Sequence, residues 1–176
     1  MSKRILITGA TDGIGLETAK RLAAEGHTLL LHGRNPAKLT DAENILSDLP
    51  GCGVLETYIA DFSRIADVEA LANSISAAHE KLDVLINNAG VYKMPDPMTP
   101  DGMDARFVVN TLAPYLLTKR LRPLMSADAR IVNLWSAAQA PVNVDALLGR
   151  VRVGDMDAYA QSKLALTMWS RQMGLE

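Results

Sequence analysis

The chain has 176 residues, 48% of them hydrophobic and 22% charged, the balance of a soluble globular protein long enough for one domain with a buried core. Its formal charge of −2 offers no electrostatic attraction toward nucleic acid or an anionic membrane, and its basic residues are scattered, as in Lys119-Arg120-Leu121-Arg122. The single cysteine, Cys52, excludes an internal disulfide, and without a neighbouring Cys or His it gives no metal site.

The amino terminus, MSKRILITGA, holds only a short apolar run before Thr8, too short for a signal-peptide core or a membrane span. A cytoplasmic location is therefore expected. Arg4–Thr8 reads as a buried strand leading straight into a glycine-rich turn. Apolar residues at Ile14, Leu16, Ala19, Leu22 and Ala23 then have helical spacing over Ile14–Glu25, and Gly26 is placed to end that helix. Thr28–His32 is a second strand, after which Asn35 is positioned as an N-cap with Pro36 following it. Val54–Ile59 is a third strand, Asp67–His79 a helix and Val84–Ile86 a fourth strand. Arg106–Leu121 is helical, although Pro114 should bend or interrupt it. Arg130–Leu134 is a fifth strand and Ala158–Met173 the last helix. Strands without polar alternation, alternating with helices, predict an α/β fold with a parallel sheet covered on both faces.

Two irregular segments, Val91–Thr99 and Ala137–Asp157, follow the carboxyl ends of the fourth and fifth strands, where open α/β sheets bind ligands. The first turn reads Thr8-Gly9-Ala10-Thr11-Asp12-Gly13-Ile14-Gly15. Glycines at 9, 13 and 15 let the backbone turn tightly and approach a pyrophosphate, with helix N–H groups aimed at its charge. Thr11, Asp12 and Ile14 belong to the same set of nucleotide contacts. At the end of the second strand, Leu31-His32-Gly33-Arg34-Asn35 contains no carboxylate to hold a ribose 2′-hydroxyl. Gly33 leaves room, Arg34 offers a planar cation suited to a 2′-phosphate, and Asn35 stands beside it, so NADP(H) is preferred over NAD(H), which stays possible. Asp101 and Asp104 in Asp-Gly-Met-Asp lack the remaining ligands of a calcium loop and read as a turn followed by a helix start.

With these elements in order, the chain resembles the short-chain dehydrogenase/reductase family over nearly its whole length. The matching residues are Thr8–Gly15 (TGATDGIG), Asp61 after the third strand, and Asn87-Asn88-Ala89-Gly90 after the fourth. They continue with Asn110 in VVNTLAPYLLT, Ser136 after IVNLW, and Tyr159-x-x-x-Lys163. The phrase TPDGMDARFVVN looks like the retinol-dehydrogenase-type branch. The resemblance implies a Rossmann-type doubly wound sheet and an NAD(P)-dependent oxidoreductase for a small-molecule carbonyl or alcohol.

Tyr159 and Lys163 are four residues apart, hence one turn along a helix and roughly 40° around it. A free phenol, with a pKa of about 10, exchanges its proton poorly near neutral pH, and a neighbouring ammonium favours the phenolate. Tyr159 would thus act as general acid or base. The resemblance implies that Lys163 also holds the nicotinamide ribose. Ser136 would hydrogen-bond the substrate oxygen. Asn110 would hold a water that links Lys163 to solvent. The resemblance adds Asp61 and Phe62 at the adenine, and Asn88, Ala89 and Gly90 along the adenosine side. Asn88 could at the same time be a structural amide tying strands together.

Three features depart from the family. Trp135 stands where a second serine is common; its indole could narrow the site or pack beneath it, and packing is the expected role. Ser136 and Tyr159 lie 23 residues apart, which adds a loop whose Val142, Val144, Leu147, Leu148 and Val151 read equally as a substrate wall or as core. Family members usually continue into further strands after the last helix, so residues 1–176 are expected to be a single nucleotide-binding domain that is C-terminally incomplete. Helices 106–121 and 158–173 carry Leu116, Leu117, Leu164, Leu166, Met168 and Trp169; because these helices pair between subunits in the resembling family, the resemblance implies a homodimer or homotetramer. The competing reading is a dinucleotide-binding sensor or scaffold with little or no turnover.

Overall fold

The computed structural model describes residues 2–175. Five strands, β1 (Arg4–Thr8), β2 (Thr28–Gly33), β3 (Leu55–Ile59), β4 (Val84–Asn87) and β5 (Arg130–Asn133), form one parallel sheet in the order β3-β2-β1-β4-β5. The order reverses direction between β1 and β4, so a crevice opens beyond their carboxyl ends. Successive side chains of a strand face opposite sides. Leu6, Leu30 and Leu85 accordingly meet α3 (Ile65–Ala78) and α5 (Ala113–Leu121) on one face. Ile5, Ile7, Leu29 and Leu31 meet α1 (Gly13–Ala24) and α2 (Pro36–Ser47) on the other. This is the doubly wound α/β arrangement expected from the sequence.

The helix ends follow local chemistry. Asp12 caps α1 by accepting from Gly13 N, and Gly26 leaves it with φ +77°, a left-handed conformation that glycine adopts without strain. Asn35 caps α2 by accepting from Lys38 N, with Pro36 in the first turn where its missing N–H costs nothing. Cys52 is a half-buried free thiol in the turn before β3.

Several expectations are corrected. Only the inner strands have no exposed residue; the edge strands β3 and β5 expose Ile59 and Val132 because one of their faces lacks a full helix cover. The helix expected to bend or break at Pro114 is interrupted: it consists of α4 (Ala105–Phe107), a π-helical turn at Val108–Leu112, and α5. Ala113 N donates to Val108 O, five residues back, and Pro114 leaves the Asn110 carbonyl without its α-helical donor. The long segment after β5 is not irregular throughout. It contains α6 (Val144–Leu147), and α7 begins at Asp155 and runs to Met173.

Asp104 caps α4, as its place in the turn suggested, and also grips Arg106 through two side-chain bonds of 2.9 and 2.6 Å. Arg106, 1% exposed, reaches Asp155 as well and so ties the start of α4 to the start of α7. Charge-assisted bonds to both carboxylates hold its guanidinium above the ordinary arginine range. Among the described residues no helix is long and apolar enough to cross a membrane.

The glycine turn sits against β4 with no spare room. A Cβ on Gly15 would lie 2.1 Å from Gly9 O and 2.5 Å from Asn88 Nδ2. Gly15→Ala should therefore cost about 1–3 kcal/mol of stability through forced displacement of the turn. Urea unfolding measures it; a midpoint equal to the parent's would contradict this packing.

Candidate active site

The crevice is built on a knot between β1 and β4. Thr8 Oγ1 accepts from the backbone N–H groups of Asn88 and Ala89, each at 3.0 Å. Asn88 Nδ2 in turn donates to Thr8 O and Gly9 O, each at 2.9 Å. The amide thus fixes the glycine turn where it leaves the sheet. Gly9 and Gly13 hold φ values of +65° and +51°, which the turn requires and other residues rarely adopt. Nothing lies within 4 Å of a Cβ built on Gly13. The turn therefore presents bare backbone at the N-terminus of α1, a setting suited to a pyrophosphate.

A cavity of about 690 Å³ runs from this turn along the ends of β2, β3, β4 and β5. At one end it is lined by Arg34, Asn35 and Lys38; deeper in it meets His32, Asp61 and Phe62. His32, 3% exposed, accepts from Gly9 N at 3.3 Å through Nδ1 and donates from Nε2 to Ala60 O at 3.0 Å. Its ring stacks on Phe62 with centroids 4.2 Å apart. Both bonds require the neutral Nε2–H tautomer. Burial pushes His32 from the usual 6.5 down to about 4, outweighing upward pulls from the Ala60 carbonyl and Asp61. Asp61 Oδ1 is taken up by the N–H and hydroxyl of Ser63.

At the other end stand Tyr159 and Lys163 on α7, together with Tyr92 and Trp135. Lys163 is 6% exposed, and its Nζ donates to Leu134 O at 2.7 Å and lies 5.9 Å from the centre of the Tyr159 ring. Desolvation lowers the pKa of this ammonium. An ammonium has three donors, and among the described residues Leu134 O is the one acceptor recorded for it. A Cβ on Gly90 would come within 3.5 Å of Nζ, so glycine there keeps the backbone close to the lysine. The Tyr92 ring lies 5.0 Å from that of Tyr159.

Asn110, in the π turn, fastens α7 to the loop after β4. Its side chain accepts from Val91 N at 2.8 Å and donates to Val91 O at 2.9 Å and Ser162 Oγ at 3.0 Å. Thr111 Oγ1 donates to Ser162 O at 2.8 Å. The small, fully buried Ser162 thus receives two bonds from the π turn, one residue before Lys163.

The crevice brings together Gly9, Thr11, Asp12, Gly13, Ile14, Arg34, Asn35, Asp61, Phe62, Asn88, Ala89, Gly90, Tyr159 and Lys163. Three expected residues are not on its wall. Gly15 lies beneath the turn, because its contact is with the backbone of Gly9. The Asn110 side chain is buried and bonded to Val91 and Ser162. Ser136 accepts from Ala138 N at 3.1 Å, which leaves its own O–H free. Trp135 does not pack beneath the site: it is 64% exposed and lines the cavity mouth. Of the proposed apolar wall, Leu147 packs on Phe107 and Ala146, Val142 is half-buried off the cavity, and Val144, Leu148 and Val151 are exposed away from it. His32, Lys38 and Tyr92 were missed. A histidine inside an apolar strand and a lysine one turn after Arg34 were the available signals.

A family model described as short chain dehydrogenase matches residues 3–176. Retinol dehydrogenase 12 of Mus musculus is 37% identical over 183 residues, covering 97% of this chain and 55% of that protein. Polyprenol dehydrogenase of Homo sapiens is 32% identical over 173 residues, covering 94% and 52%. A metagenomic short-chain oxidoreductase solved in complex with NADP superimposes with a TM-score of 0.79 at 33% identity, covering 98% of this chain and 76% of that one. The chain spans about half the length of the curated relatives it matches.

The His32 bridge makes stability pH-dependent. Unfolded, its imidazole takes a proton near 6.5; folded, it resists until about 4. Above 6.5 both states are neutral and the contribution is intact. As pH falls from 6.5 toward 4, the unfolded state gains protons first and stability drops by ~1.4 kcal/mol per pH unit. Between pH 7 and pH 5 the parent should lose about 2 kcal/mol more than His32→Gln in urea unfolding. Parallel losses would contradict it.

Proposed function

The chain belongs to the short-chain dehydrogenase family, and on that premise we propose that it is an NADP(H)-dependent oxidoreductase. It interconverts a carbonyl and an alcohol, with Tyr159 as the proton donor or acceptor. The observation that carries this reading is the buried Lys163 ammonium, set under the Tyr159 ring at the opposite end of one cavity from the glycine turn.

The residues present fit the cofactor. Bare backbone at Gly9 and Gly13 suits the pyrophosphate, and Arg34 suits a 2′-phosphate. Asp61 and Phe62 would meet the adenine, Asn88, Ala89 and Gly90 would border the adenosine, and the open donors of Lys163 would hold the nicotinamide ribose. Bound nicotinamide supplies or accepts the hydride. In reduction Tyr159 gives its hydroxyl proton to the carbonyl oxygen; in oxidation it takes the proton from the alcohol. The Lys163 cation stabilises negative charge on the phenol oxygen as the proton leaves. The free O–H of Ser136 would hydrogen-bond the substrate oxygen as charge builds on it. The Asn110 main-chain carbonyl, released by Pro114, is the group that would hold a water between Lys163 and solvent.

Tyr92 and Trp135 make the wall beside Tyr159 aromatic, which favours a lipophilic substrate. Retinol and polyprenol, in the names of two relatives, are of that class. The reading also has the chain acting in the cytoplasm as a homodimer or homotetramer, in which pairing would cover the exposed Tyr115 and Met168 of α5 and α7.

Incubation of the purified protein with NADPH and a panel of lipophilic aldehydes and ketones, followed by cofactor absorbance, tests the assignment. Tyr159→Phe should lower consumption by about 10²-fold or more while nucleotide affinity changes less than twofold. A mutant that turns over like the parent would remove Tyr159 from the proton step.

A further inference from the structure

The nucleotide end of the cavity holds, beside Arg34, one cation and one carboxylate with no part in the scheme above. Arg34 leaves the end of β2, and Lys38 follows one turn into α2; both line the cavity, as does Asp12. Among the described residues Arg34 has no ion-pair partner, whereas Lys38 Nζ lies 3.5 Å from Asp12 Oδ2. The other oxygen of Asp12 accepts from Gly13 N at 2.8 Å, which anchors the carboxylate at the start of α1. Lys38 is the mobile member, being a long side chain with its ammonium largely in solvent.

We propose that Lys38 is a second specificity-determining cation for the ribose 2′-phosphate, and that Asp12 is an internal competitor which Lys38 must leave when that phosphate binds. The inference rests on the NADP(H) reading of the site. The Asp12 carboxylate and a 2′-phosphate would compete for the one Lys38 ammonium. A 2′-phosphate entering beside Arg34 draws the Lys38 ammonium away from Asp12 and stands near a fixed like charge. A 2′-hydroxyl makes no such demand, so NADH binds with the Asp12–Lys38 pair left in place. An exposed pair at this separation is weak, so the exchange is easy. Asp12 therefore trims the preference for NADPH without abolishing it, and the residue that narrows the choice sits in the glycine turn rather than at the end of β2.

Dissociation constants for NADPH and NADH, measured by fluorescence titration at fixed low salt, test this. Asp12→Asn keeps an N-capping side chain and should tighten NADPH about three- to tenfold while NADH changes less than twofold. Lys38→Gln should weaken NADPH by a similar factor with NADH unchanged. In the double variant the Asp12→Asn gain should shrink, because the cation it frees is gone. Equal tightening of both nucleotides by Asp12→Asn would overturn the proposal by placing Asp12 at the pyrophosphate instead. A Lys38→Gln variant that binds NADPH like the parent would overturn it too. A parent that binds neither nucleotide would reject the cofactor reading itself, and this inference with it.

Discussion

A lysine ammonium inside a protein loses most of its hydration, and its charge survives only where fixed oxygen atoms take the place of water. Lys163 is in that position. Leu134 O, at the end of β5, satisfies one of its donors, and the remaining donors face a cavity bordered by Gly90 and Tyr159. The surrounding architecture keeps this ammonium in place. Without a rigid seat the side chain would extend to solvent, as lysines ordinarily do, and the phenol one turn before it would be an ordinary surface group.

Two clasps supply the seat. On α7, Ser162 accepts from Asn110 and Thr111 of the π turn, so the helix cannot rotate without breaking buried bonds. Asn110 grips both the N–H and the carbonyl of Val91 and thereby locks α7 to the loop after β4. On the sheet, Thr8 and Asn88 join the ends of β1 and β4, and His32 joins β2 and β3 to the same turn. The glycine turn and the Tyr159–Lys163 pair therefore share a frame, linked through the short segment from Asn88 to Val91. A wide π turn at that junction is a local irregularity of the kind found at functional sites.

Much of this was readable from residue order. Gly-rich turn, capping Asn35, closing Gly26 and the apolar strands are set by local chemistry, and short-range preferences act the same way in any fold. The α7 pair was legible because spacing on a helix fixes relative direction. What was not legible depended on tertiary partners. Pro114 signalled an interruption, but neither its π form nor the bond from Asn110 to Ser162, 52 residues on, is written in the local sequence. Trp135 looked like a packing residue, yet β5 lies at the sheet edge among the described residues and its indole stays exposed. The apolar residues after Ser136 have no periodicity that separates a cavity wall from a free surface, and most of them turned outward. His32 resembled any residue of a buried strand until Gly9 and Ala60 appeared on its two ring nitrogens.

The account stands on the open donors of Lys163 being completed by the ribose common to both nicotinamide cofactors. Lys163→Met keeps the buried stem and removes only the ammonium. Its affinity for NADPH and NADH, measured by titration on protein with an undiminished melting temperature, is the direct test. Both should weaken to the same extent, about tenfold, or ~1.4 kcal/mol. Parent-like binding of both would mean that the ammonium does not face the nucleotide.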